Sequence, residues 1–213
     1  MMKTLFRISL ITFLTGLTFK FLHIHFNGLL LSLGGLLLLI HSSIHLIKFA
    51  KSNLILSLNY LIFTLITVYL ITRIQYWSFA RIVFPITVLL SIIWLIIFLN
   101  KKVKFKLSHL LLILYFAFFL IISYTPSYKI FYFVSLNKVL NSNHCKTDYY
   151  SWDKYSWFLY LRNKQTEAME ANKNAKKALE LSLKNKDPEA IRYKDRIELH
   201  EKLIQEKTWV DFR

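Results

Sequence analysis

The sequence predicts an all-α fold, a polytopic membrane bundle of five helices followed by a small, soluble, helical C-terminal tail. Three observations predict it. Met1 to Thr147 contains 14 Lys/Arg and no Asp or Glu, whereas all 12 acids lie at or beyond Asp148. Five apolar runs of about 18 to 20 residues, the length that crosses about 30 Å of hydrocarbon at about 1.5 Å per residue, fall inside the acid-free part. Only four Gly and three Pro interrupt a chain that is 55% hydrophobic. A soluble basic domain mixes both signs of charge over its surface, so the acid-free stretch reads as membrane. The tail balances its 12 acids with 14 Lys/Arg and reads as water-soluble.

The predicted spans run Leu5–Leu22, Gly28–Ile47, Leu54–Thr72, Ile82–Leu99 and Leu107–Tyr124. The first begins like a signal peptide, with Lys3 and Arg7 ahead of Ile8 to Phe19. It lacks a small-x-small cleavage site, so it is expected to stay as an uncleaved span. Arg7 and Lys20 at its ends can snorkel to the headgroups. In the last span, Leu110 to Ser123 holds eleven Leu, Ile or Phe and no charge. At roughly −0.3 to −0.6 kcal/mol each, these favour insertion by about 3 to 7 kcal/mol. Pro85, near the start of the fourth span, costs little there because the first helical N–H groups have no intrahelical partner.

Orientation follows from the Lys and Arg of the short loops. With the N-terminus inside, the inner segments carry Lys3, Arg7, Lys48, Lys51, Lys101, Lys102, Lys104 and Lys106, and the outer loops only Lys20, Arg73 and Arg81. The excess predicts a cytoplasmic N-terminus, and five crossings then put the tail on the periplasmic side of a bacterial inner membrane. Tyr76 and Trp77 fit an outer aromatic belt.

Residues 1–125 are thus expected to form the transmembrane domain, 126–150 an interfacial helix and connector, and 151–213 the tail. Ser127 to Leu140 is aromatic and too short to span, which suits a helix lying along the outer leaflet; Asn141 to Tyr150 reads as polar connector. Trp152 to Leu161 predicts a short helix. Thr166 to Lys184 predicts a second, with Ala168, Ala171, Ala175 and Ala178 at helical spacing. Asp187 followed by Pro188 is an N-cap and first-turn proline opening a third helix to about Lys207. Its apolar residues are Ile191, Tyr193, Ile197, Leu199, Leu203 and Ile204.

Several chemistries are excluded or disfavoured. One cysteine, Cys145, permits neither an intramolecular disulfide nor a multi-cysteine metal site. Most excess cations flank apolar runs, so nucleic acid is not an expected partner. With no carboxylate before Asp148, the usual intramembrane acid of ion-coupled transport is missing, as are Walker-type and G-x-S-x-G patterns. No catalytic, cofactor or metal residue is assigned, and the chain is not expected to be an enzyme. The candidates for chemistry are the histidines: His23 and His25 at the outer end of the first span, and His41, His45 and His109 at the inner side. An i,i+4 pair such as His41/His45 can chelate a metal, and histidines on separate helices can ligate haem, but such groups also serve as helix–helix hydrogen-bonding residues. His25 and His41 lie about 24 Å apart along a helix, which separates the two sets. Gly28, Ser32 and Gly35 form a small-residue stripe that admits a neighbouring helix, within the chain or in an oligomer.

Gly16, Phe19, Lys20, His23, Gly28 and Gly34 give the first hairpin a pattern that resembles the gliding-motility membrane protein family of Bacteroidota. The resemblance covers about 30 of 213 residues. It implies a source phylum and an inner-membrane hairpin, without the motor activity, since the membrane Glu of that family is missing. Tyr155 to Tyr160, with Thr166, Ala168, Ala175, Ala178 and Leu179, is similar to one tetratricopeptide repeat, with Asn172 where an aromatic is usual.

The expected role is an integral inner-membrane protein that anchors or scaffolds through protein contacts of its tail, with Trp152, Tyr155, Trp157 and Phe158 serving as tail core or partner surface. Alternatives are a histidine-ligated haem or metal membrane protein, and a small pore or carrier for an anionic solute drawn by Lys20 or Arg81. The bilayer and a protein bound to the tail are the expected partners, and self-association is an open possibility.

Overall fold

The computed structural model describes residues 2–101, 105–137 and 142–209. Among them the chain is helical throughout: α1 (Met2–Phe21), α2 (Asn27–Ile74), α3 (Ala80–Asn100), α4 (Leu107–Tyr124), α5 (Ser127–Ser135), α6 (Ser142–Thr147), α7 (Tyr149–Tyr160), α8 (Gln165–Lys184) and α9 (Pro188–Glu206). Two compact units result. One comprises the residues up to Lys20 with Ile24–Thr125, and the other Phe21–His23 with Pro126 onward. Four helices, α1 to α4, are long and apolar enough to cross a membrane.

The 48 residues of α2 would reach about 72 Å if straight, more than twice a hydrocarbon core. They do not run straight. Asn53 leaves helical geometry at φ −150°, ψ 68°, and its side-chain Oδ1 accepts from Leu56 N at 3.2 Å, an N-cap for the residues that follow. The arms 27–52 and 54–74 then fold back on each other. Thr64 Oγ1 donates to Leu38 O at 3.4 Å, and His45 Nδ1 meets Ser57 Oγ at 3.0 Å. The helix runs on through Lys48 and Lys51, so the segment between the second and third predicted spans is mostly helix with one broken residue, not a loop.

Glycine sets how closely these helices approach. A methyl on Gly16 would sit 2.7 Å from Leu31 N, and one on Gly34 2.7 Å from Phe13 N, so α1 lies backbone against backbone on the first arm of α2. Farther along the same antiparallel register, Phe6 packs on His41 at 5.2 Å between ring centroids. A methyl on Gly35 would meet Ile71 Cδ1 at 2.8 Å, and one on Gly28 would meet Gln75 Nε2 at 3.3 Å. The small-residue stripe is therefore occupied from within the chain.

The second arm of α2 packs on α3 and α4 around Ile62, Ile66, Tyr69, Val83, Trp94, Leu112 and Phe119. Tyr69, Phe84 and Phe119 form a ring triad with centroids 4.8 to 5.9 Å apart. Arg73, counted above as an outer-loop charge, belongs to the last turn of α2. Its Nη2 donates to Thr125 O at 2.7 Å and Ile122 O at 3.5 Å, satisfying carbonyls that the end of α4 leaves without an intrahelical partner. Hydroxyls of Ser9, Ser32, Thr87, Ser91 and Ser123 bond the carbonyl four residues back, as lipid surroundings require.

In the second unit, α5 buries Ile130, Phe131 and Val134 and packs on α7 through Phe131–Phe158 and Tyr132–Tyr155, at 5.3 and 5.5 Å. One apolar face of α5 thus meets α7, while Lys129, Tyr132 and Phe133 remain exposed. The expected connector 141–150 is largely helical. In α6, Cys145 Sγ donates to Leu136 O at 3.0 Å, and Trp152 Nε1 donates to Cys145 O at 2.8 Å. Residues 138–140, the end of the expected interfacial helix, lie outside the described residues. Ala168, Ala171, Ala175 and Ala178 are buried, which lets α7 and α9 close on α8. Of the apolar residues expected on α9, Ile197 and Ile204 are buried with Ala190, but Ile191 and Leu199 face outward. The seven-residue spacing of Ala190, Ile197 and Ile204 claims one stripe and turns the other two away from it.

Asp187 caps α9 as predicted, accepting from Glu189 N at 3.0 Å, and its other oxygen accepts from Tyr149 Oη at 3.3 Å. Burial first, then the Asp187 charge and hydrogen bond, pushes the Tyr149 phenol from 10.0 up to about 12. A raised folded-state value contributes stability that is complete below pH 10 and lost as pH climbs from about 10 to about 12. In a phenolate absorbance titration, Asp187→Asn should move one of the late-titrating tyrosines to lower pH. In detergent unfolding, Gly34→Ala should destabilise by about 1 to 3 kcal/mol because backbone must move, whereas Gly35→Ala should cost less than about 1, since the Ile71 methyl can rotate aside.

Candidate functional site

Three polar clusters stand out, two in the first unit and one in the second. In the first, His41 is 2% exposed and His45 8%, one helical turn apart with ring centroids separated by 6.0 Å. Tyr60 packs on both, at 4.9 and 4.7 Å, and Phe6 closes the cluster against His41 and Tyr60. His45 is satisfied by Ser57, while His41 Nδ1 is buried with no hydrogen-bond partner among the described residues. The arrangement is an aromatic-walled polar seam between the arms of α2, at the end of the unit where the arms join.

His109 stands in a different setting. It is buried in the first turn of α4, surrounded by Phe98 at 4.9 Å, Phe105 at 6.0 Å and Trp94 at 6.2 Å. Its Nδ1 accepts from Lys106 N at 3.1 Å, which caps the helix start. So the three inner histidines divide between two clusters. His25 is exposed in the α1–α2 turn, and His23 there adopts a left-handed φ of 55°. Among the described residues, no three His, Cys, Asp or Glu side chains converge as metal ligands.

Two participants escaped sequence reasoning. Asn59 is 8% exposed, and neither its Nδ2 nor its Oδ1 has a hydrogen-bond partner among the described residues; Trp94 Nε1 is in the same condition. The signal was present for Asn59, the sole carboxamide inside any predicted span. Trp94 carried none, because tryptophan is ordinary in a span.

The third cluster joins residues 47 apart. Asp153, 3% exposed on α7, bonds His200 Nδ1 on α9 at 2.7 Å. Arg196 Nε lies 3.8 Å from the other carboxylate oxygen and is half exposed. Trp209 stacks on His200 at 4.3 Å and touches Trp157 at 4.8 Å. Of the four tail aromatics named above, Trp152 is core, Tyr155 and Phe158 meet α5, and Trp157 meets Trp209. An acid–histidine pair can relay a proton, but chemistry of the acyl-transfer type also requires an adjacent nucleophile. Nearby Ser156 directs its hydroxyl to Asp153 O at 2.6 Å, back into its own helix. The pair acts as a tie between α7 and α9.

No protein-family model, curated protein or solved structure matches this chain.

Asp153→Ala should destabilise the full-length protein by about 2 to 4 kcal/mol, because it strands His200 inside the unit, whereas Arg196→Ala should cost at most about 1 kcal/mol. Denaturant unfolding followed by tryptophan fluorescence distinguishes the two.

Proposed function

We propose that the chain is a five-span bacterial inner-membrane protein, N-terminus inside, that anchors a helical protein-contact module on the periplasmic face. The observation that carries this reading is the reversal of α2 at Asn53. It divides one overlong helix into two apolar arms, which supports a count of five crossings with the chain's two ends on opposite faces. Arg7, Lys48, Lys51, Lys101 and Lys106 belong to the end where the arms of α2 join and where α3 ends and α4 begins, in keeping with a cytoplasmic side. The inner-membrane assignment draws also on the likeness of the first hairpin to the Bacteroidota gliding-motility family. Motor activity is not carried over, because α1 to α4 hold no Asp or Glu.

For the module, α7 and α8 pack through alanines in the manner of a single tetratricopeptide repeat, with α9 added. Its acid–histidine pair is structural, and Ile191 and Leu199, 68% and 53% exposed on α9, offer an apolar face to a protein partner. Catalysis forms no part of this role.

A reporter fused after Arg213 should be active in the periplasm, and one inserted between Lys101 and Lys106 in the cytoplasm. Both on one side would overturn the five-span reading. A photo-crosslinking residue at Ile191 or Leu199 should trap a discrete adduct in cells; products confined to lipid would overturn the contact role.

A further inference from the structure

The contacts between α2, α3 and α4 share one register. Tyr69 meets Phe119, with Phe63 and Thr67 on either side of the matching position for Tyr115. In these parallel helices, each residue of the second arm of α2 therefore faces a residue about fifty positions on. The same register brings Asn59 to the level of His109. In the antiparallel pairs, Tyr69 meets Phe84 and Phe84 meets Phe119, while Trp94 meets His109 ten residues further toward the other end. Asn59 shares a helical face with Ile62, Ile66 and Tyr69, the residues that form the core with α3 and α4.

Three buried polar side chains thus stand at one level of an otherwise apolar bundle. Two of them, Asn59 and Trp94, lack hydrogen-bond partners among the described residues. Unpaired amides and indole N–H groups are costly in such surroundings and ordinarily mark a bound water or ion. The third, His109, spends Nδ1 as an acceptor of the Lys106 N–H, which places the neutral ring's proton on Nε2. The group therefore offers N–H donors from Asn59, Trp94 and His109 against one acceptor, Asn59 Oδ1.

We propose that Asn59, Trp94 and His109 form a buried site for a small monatomic anion of the chloride class. Donors outnumber acceptors, so an acceptor-only guest fits better than water. No carboxylate exists in the unit to repel it. The first turn of α4 contributes the positive end of its helix dipole, and Lys101 and Lys106 stand exposed at the adjoining helix ends. The site is independent of the tail's contact role, and neither reading falls with the other.

The test uses full-length protein in detergent micelles, with chloride replaced stepwise by gluconate at constant ionic strength and the chloride NMR line width recorded. Saturable broadening is expected in the wild type. Asn59→Leu and Trp94→Phe should each weaken apparent affinity about tenfold or more, as loss of a hydrogen bond to a charged partner does. Trp94→Phe keeps the ring and the packing, so it carries the test if Asn59→Leu fails to fold. No saturable broadening in the wild type would mean a water or a bare site, and would overturn the proposal. Broadening undiminished by Trp94→Phe would assign the anion to surface lysines and overturn it equally.

Discussion

The turn-back of α2 at Asn53 fixes the register of the whole first unit. In lipid, helices gain little from burying apolar surface against each other, so association rests on close van der Waals contact and on polar groups that find partners. The hairpin supplies both. One side of the first arm presents Gly16's counterpart Leu31 and Gly34 to α1, and another presents Gly35 to Ile71. The second arm inherits the opposite duty and carries the larger residues, Ile62, Ile66 and Tyr69, into α3 and α4. A small-faced arm and a large-faced arm, joined by one non-helical residue, let three neighbours dock without a second hairpin of that kind.

Charge is handled differently in the two units. The first has cations only, and those without acids to meet are placed at helix ends, where carbonyls or headgroups serve instead. Arg73 shows the principle, since its guanidinium satisfies the last turn of α4. The second unit pairs its charges directly, with Lys176 and Glu201 joining α8 to α9 and Asp153 and His200 joining α7 to α9. Where acids are available, side chains tie helices together; where they are absent, backbone carbonyls take that part.

Much of the helix plan was legible because apolar length is nearly a sufficient signal. Leu107–Tyr124 was bounded to the residue, and Asp187-Pro188 announced the start of α9. The segment after Ile47 was misread as a loop because Lys48 and Lys51 look like loop residues, although lysine is a good helix former and only Asn53 departs. Asn141 to Tyr150 was misread for the opposite reason. Its polar residues hide Cys145 and Tyr149, whose burial depends on tertiary contacts, Cys145 with Leu136 and Trp152, and Tyr149 with Asp187 and Tyr193. The polar clusters were legible only in part. His41 and His45 declare themselves by spacing, but Asp153 with His200, and Asn59 with Trp94 and His109, come together through register that no local pattern records.

All four glycines of this chain serve helix contact, and none ends a helix. The left-handed positions that close helices and turns fall instead to His23, Phe26, Tyr76, Asn163, Lys186 and Lys207. Each bulky residue there carries on the order of 1 kcal/mol of steric cost that glycine would not. The exposed pair Lys186 and Lys207 therefore forms a reserve of unused stability. Glycine at either position would firm the second unit without touching a contact, giving an engineer a route to a sturdier protein that leaves every interface of the native one in place.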